Sequence, residues 1–150
     1  MFKLNLINSP NFLFDEKIID KIRKTINKKI EISQKGTLNI VFVDDEHIKE
    51  LNKNYRQKDA VTDVLSFHYF DDFSGLKTNE IAGEIILNEG KIKSQAIEYG
   101  LGEDGEFYKL IIHSILHILG YDHEKDEDFE IMNKFENLIW KEIFEKNKKI

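Results

Sequence analysis

The chain has 150 residues, 41% hydrophobic and 33% charged, a size and balance that fit one globular domain and exclude a disordered or membrane-spanning chain. It has no cysteine, so disulfides, thiolate metal sites and thiol nucleophiles are excluded together, and any metal must be held by nitrogen and oxygen. Its 22 lysines and arginines stand against 28 aspartates and glutamates; the net charge of −6 removes any general attraction to a phosphate backbone and leaves only local basic sites.

Phe2, Leu4 and Leu6 alternate with Lys3 and Asn5, which predicts a strand with one buried face. The segment Met1 to Phe14 carries Lys3, Asn5, Asn8, Ser9 and Pro10 among its apolar residues. It therefore lacks the continuous apolar stretch of a signal peptide, and cytoplasmic residence is expected. After Asp15, a plausible N-cap, Ile18, Ile19, Ile22, Ile26 and Ile30 recur at helical spacing with lysines opposite, predicting a helix that ends by Glu31. Gly36 leads into an apolar strand from Leu38 to Val43. Asp44 and Asp45 can then cap a short helix carrying Ile48, Leu51 and Tyr55 on its apolar face.

Val61 to Phe67 and Ile81 to Leu87 read as two further strands able to pair with each other, with Asp71, Asp72, Ser74 and Gly75 suiting the turn between them. Beyond Asn88 the pattern becomes helical. One helix places Ile92, Ala96 and Tyr99 on one face and ends at Gly100; a second runs from about Asp104 to Leu119 and stops at Gly120; a third spans roughly Asp126 to Lys146. The expectation is a single domain of the α+β class, a mixed β-sheet with about five helices, in an order of strands that the pattern does not specify.

The sharpest chemical signal is the run His113-Ser-Ile-Leu-His117-Ile-Leu-Gly120-Tyr-Asp-His123. Helix residues four apart differ by about 40° in direction and about 6 Å in height, so the imidazoles of His113 and His117 can meet one ion. Gly120 can adopt the left-handed conformation that ends a helix, which allows His123 to return to that ion. Three neutral nitrogens leave zinc a fourth position for water, the arrangement of catalytic sites; a fourth ligand from Asp122 or Glu124 would make the zinc structural instead. Nickel or another divalent metal also accepts this ligand set. The spacing matches that of metzincin proteases, H-E-x-x-H-x-x-G-x-x-H, except that Ser114 stands where the protease has its general-base glutamate. A serine hydroxyl does not replace a carboxylate as base at neutral pH, so peptide hydrolysis is the weaker reading.

A second polar run, Asn54-Tyr-Arg56-Gln-Lys-Asp59-Ala-Val-Thr62-Asp63-Val-Leu-Ser66-Phe67, precedes and enters a strand. By itself it reads as a solvated loop with side-chain to backbone turns. Taken with the histidine run and with Gly83-Glu84-Ile-Ile-Leu87, it resembles the YbeY-type endoribonucleases, metal-dependent enzymes of ribosomal RNA maturation and ribosome quality control. The resemblance covers nearly the whole chain in length and element order. It implies His113, His117 and His123 as ligands of one Zn2+ ion and Arg56 as a functionally important arginine, with Asp63, Ser66 and Glu84 as residues behind the site or touching substrate. It also implies single-stranded RNA, ribosomal RNA above all, as substrate, with ribosomal proteins as further partners. A guanidinium suits phosphate because its planar fork donates two hydrogen bonds. Three positions depart from the family's pattern: Val61 and His68 stand where proline is common, and Glu84 where aspartate is frequent. A protein of another class, bound to ribosomes through a fold held by structural zinc, remains the alternative to an enzyme.

Overall fold

A computed structural model of the chain describes residues 2–30, 36–69, 76–77, 79–121 and 126–145. The elements are β1 (Lys3–Leu6), α1 (Glu16–Lys29), β2 (Thr37–Phe42), α2 (Asp45–Arg56), β3 (Val64–His68), β4 (Ile81–Leu87), α3 (Glu89–Tyr99), α4 (Gly102–Ile118) and α5 (Asp126–Phe144). The strands form one sheet in the order β1-β2-β4-β3; β1, β2 and β4 run parallel and β3 pairs antiparallel with β4. The α+β class, the mixed sheet and the five helices agree with the sequence reading, as does the pairing of the third and fourth strands.

The two-residue period of the strands divides their side chains between two apolar layers. Leu4, Leu6, Leu38, Ile40, Ile85 and Leu87 face the larger core, which they share with Ile22 and Ile26 of α1, Ile92 of α3, Phe107, Ile111 and Ile115 of α4, and Met132 and Ile139 of α5. Val41, Leu65, Phe67 and Ile86 face the opposite way and pack with Ile48 and Leu51 of α2. α2 therefore lies on one face of the sheet and the other helices on the other.

The caps explain most of the element ends. Asp15 accepts a hydrogen bond from the Lys17 N–H, Asp44 from that of His47 and Asn88 from that of Lys91, each satisfying an otherwise orphaned donor at a helix start. Gly100, at φ +74°, closes α3 in the left-handed conformation that glycine adopts without strain.

Two local readings shift. The third strand begins at Val64 rather than Val61, because its partner β4 ends at Leu87 where Asn88 turns to cap α3, and one last bond, Asn88 N–H to the Asp63 carbonyl at 2.9 Å, closes the ladder. Tyr55 and Tyr99, expected on apolar helix faces, are substantially exposed, as are Phe129 and Leu138 of α5. The expected turn at Asp71, Asp72, Ser74 and Gly75 lies outside the described residues, as does Lys146 at the end of the last helix.

Gly83 stands opposite His68 where the backbones of β3 and β4 approach closely, and a Cβ there would overlap the Phe67 carbonyl oxygen. Gly83→Ala is expected to destabilise the fold by about 1–3 kcal/mol, since the obstacle is backbone and the strands themselves must shift. Chemical denaturation checks this, and an unchanged unfolding midpoint would show that the hairpin yields freely.

Candidate active site

α4 is the spine of the site. Eleven of its 17 residues are buried, and Glu106, His113 and His117 interrupt its apolar sequence. Seven residues return a helix to within about 20° of its starting direction and advance it by about 10 Å, and four more residues add about 6 Å. The three side chains therefore form one polar row along α4, and they border a single cavity of about 730 Å³.

β3 supplies the facing wall. The chain reaches it from the last residue of α2, Arg56, through Gln57, whose φ of +57° is the only positive value at a described non-glycine residue. Buried Asn52 holds the next stretch by donating from Nδ2 to the Ala60 carbonyl at 2.8 Å. Asp63 then fixes the entry to the strand, its Oδ1 accepting from the Val64 N–H at 2.8 Å and from the Thr62 hydroxyl at 3.2 Å. The result sets Arg56, Asp63 and Ser66 on the cavity across from His113 and His117. The basic residues of α1 lie elsewhere; Arg23 and Lys24 pair with Asp20, and Lys29 with Glu142.

Glu84 is not among the residues bordering the cavity; its carboxylate accepts a hydrogen bond from the Tyr69 hydroxyl, and burial with this contact pushes the Tyr69 phenol up to about 12. His68 is exposed at the end of β3. His123, with Asp122 and Glu124, lies outside the described residues; the chain can be followed through Gly120, at φ +103°, to Tyr121. The structure thus brings two of the three expected ligands and Arg56 to one cavity.

Four further side chains on the cavity were not identified from sequence. Glu136 of α5 places Oε1 2.5 Å from His113 Nδ1. A carboxylate on the inner nitrogen of a histidine fixes its ring and tautomer and directs ligation to Nε2, as it does behind histidines in metal sites. Gln95 of α3, with its amide nitrogen inward, donates to Glu106 Oε1 and to Asp63 Oδ2, each at 3.1 Å; in that orientation both carboxylates meet a donor. Lys109 lies 4.0 Å from Glu106 Oε1 and 4.9 Å from the centre of the Tyr99 ring. Glu106 itself is only 1% exposed. A helical row was visible in the seven-residue step from Glu106 to His113. No sequence signal links Glu136 to His113, because that contact depends on how α5 packs against α4.

Burial pushes the Glu106 carboxyl up, with Lys109 opposing and the charge of Asp63 adding to the rise. A carboxyl raised by folding binds more protons folded than unfolded, so its contribution is favourable below the ordinary carboxylate value and is lost as pH rises through the raised one. Glu106→Gln removes that loss. The variant's melting temperature is expected to gain on wild type as pH goes from acid to neutral, and parallel curves at every pH would contradict the assignment.

The family profile described as Endoribonuclease YbeY matches residues 9–144. This chain belongs to the YbeY family. A relative from Fusobacterium nucleatum named Endoribonuclease YbeY is 40% identical over 121 residues, covering 79% of this chain and 74% of its own. Another of that name, from Mycoplasmopsis pulmonis, is 37% identical over 145 residues and 95% of each chain. A solution structure from Thermotoga maritima superposes with a TM-score of 0.58 at 29% identity, covering 95% of this chain and 91% of that one. The family membership inferred from the histidine run, the central loop and the Gly83 segment agrees with these matches. Among the described residues no helix is long and apolar enough to cross a membrane.

Proposed function

We propose that this chain is an endoribonuclease that cuts single-stranded RNA, ribosomal RNA in particular, in the maturation and quality control of ribosomes in the cytoplasm. In this reading one divalent ion of the zinc class is held by His113, His117 and His123. The observation that carries it is the placing of His113, His117 and Arg56 on one cavity in a member of a family whose relatives are named endoribonucleases.

The residues present suit a metal. Two imidazoles one helical turn apart border the same cavity, and Glu136 engages Nδ1 of the first, which favours Nε2 as its ligating nitrogen. A bound zinc-class ion supplies Lewis acidity, which polarises a phosphoryl oxygen and lowers the pKa of water to about 7. Nickel is a second candidate for the same nitrogen ligands.

The protein's own groups then act on the phosphodiester. Arg56 is exposed where α2 meets the cavity, and its guanidinium can donate two hydrogen bonds to non-bridging oxygens, holding the phosphate and countering charge that grows during displacement. Glu136 keeps the His113 ring in one orientation. Tyr55 and Tyr99 are 63% and 55% exposed at the cavity, where unpaired bases can stack on them but bases inside a duplex cannot. This arrangement favours single strands. Ser114, at the position of the protease base, is fully buried and does not border the cavity, so nothing at that position serves peptide hydrolysis.

The test is cleavage of single-stranded RNA, duplex RNA and casein by purified protein, with and without chelator, beside His117→Ala and Arg56→Ala. Single strands alone should be cut, and only without chelator. RNA cleavage that resists chelator and survives in the histidine variant would identify a contaminating nuclease and end the proposal.

A further inference from the structure

The upper part of the cavity carries chemistry that phosphate binding and metal ligation leave unused. Asp63, Gln95 and Glu106 arrive from the entry to β3, from α3 and from α4, and meet through the amide of Gln95. The two N–H groups of that amide are committed to the two carboxylates. Glu106 is 99% buried, yet its Oε2 has no hydrogen-bond partner among the described residues. A buried carboxylate oxygen without a donor is costly, and the residue that carries this one borders the cavity. Lys109 approaches the other oxygen, Oε1, from a half-exposed position. The cluster therefore presents acceptors to the cavity and has no spare donor among its own three side chains, so its complement is a group rich in N–H.

Position narrows the choice. Glu106 stands seven residues before His113, on the same side of α4 and about 10 Å along its axis. A phosphate held beside the histidines leaves a neighbouring nucleotide of the strand to extend along this row toward Tyr99. Proteins that read unpaired RNA stack its bases on aromatic rings and hydrogen-bond their Watson–Crick edges.

We propose that Asp63, Gln95 and Glu106 form a base-recognition subsite, displaced along α4 from the scissile phosphate, that selects an unpaired base presenting N–H donors, guanine foremost. The N1–H and amino group of guanine are two parallel donors that fit a carboxylate. Uracil offers one N–H between two carbonyl oxygens, which would face acceptors. The inference rests on the RNA reading above, and it adds which nucleotide the site prefers.

Equilibrium binding of GMP and UMP to the full chain in chelator tests the subsite apart from cleavage. GMP is expected to bind about tenfold tighter, the discrimination of one good paired contact. Glu106→Gln, which puts an amino group where the unpartnered oxygen stands, should bring the two within about twofold. Equal binding by wild type, or selectivity unchanged in the variant, overturns the proposal; if the variant does not fold, the wild-type comparison and Gln95→Ala still decide it. Cleavage mapping on RNA with a randomised single-stranded region separates the two readings. Cutting without guanine bias sinks the subsite and leaves the nuclease, whereas guanine-selective binding without cutting sinks the nuclease and leaves a nucleotide site.

Discussion

His117→Ala is expected to reduce cleavage of single-stranded RNA by at least about a thousandfold, because in the proposed function it removes a ligand from an ion whose charge stabilisation would be worth several kcal/mol in the transition state. His117 sits one turn beyond His113 on a helix that is otherwise packed into the core, so neither imidazole is easily replaced by a neighbour. Elemental analysis should show metal content falling from about one ion per chain to near zero. A second measurement does not depend on activity. A ligand that binds only the folded state raises its melting temperature, so chelator should lower that of wild type and leave the variant unmoved. A variant that still holds one ion per chain, or one that cleaves normally without it, would remove the histidines from the site.

Arg56→Ala is expected to lower kcat by about a hundredfold to a thousandfold, the usual effect of deleting one donor aimed at developing charge. Metal content should remain that of wild type, which separates this loss from the first. Arg56→Lys should recover only part of the rate, since an ammonium keeps the charge and loses the two-point contact. The side chain is exposed, so melting temperatures should barely change. If kcat stays within about threefold of wild type, phosphate positioning belongs to another cation, Lys109 being the other described one on the cavity.

Local order was readable where a residue's own chemistry decides it. Asp15, Asp44 and Gly100 marked helix ends because each closes a turn within a few residues of itself, and the alternation of Leu4 and Leu6 marked the buried face of β1. What depends on distant partners was not readable. The order β1-β2-β4-β3 follows from which strands find each other. The late start of β3 follows from Asn88 ending the neighbouring strand. At the site, spacing on one helix paired His113 with His117, and family likeness added Arg56. The carboxylate behind His113 is 23 residues away on another helix, and the amide between Asp63 and Glu106 joins three elements. Exposed Tyr55 and Tyr99 show the same limit from the other side, because helical spacing put them on apolar faces and the cavity left them open.

One wall of the cavity comes from the entry to β3, and the group that orients His113 comes from α5, which follows every other part of the site described. During synthesis this constellation cannot close until Glu136 has left the translating machine and docked. In the proposed reading the site therefore stays incomplete until the helix carrying that carboxylate has been made and packed against α4.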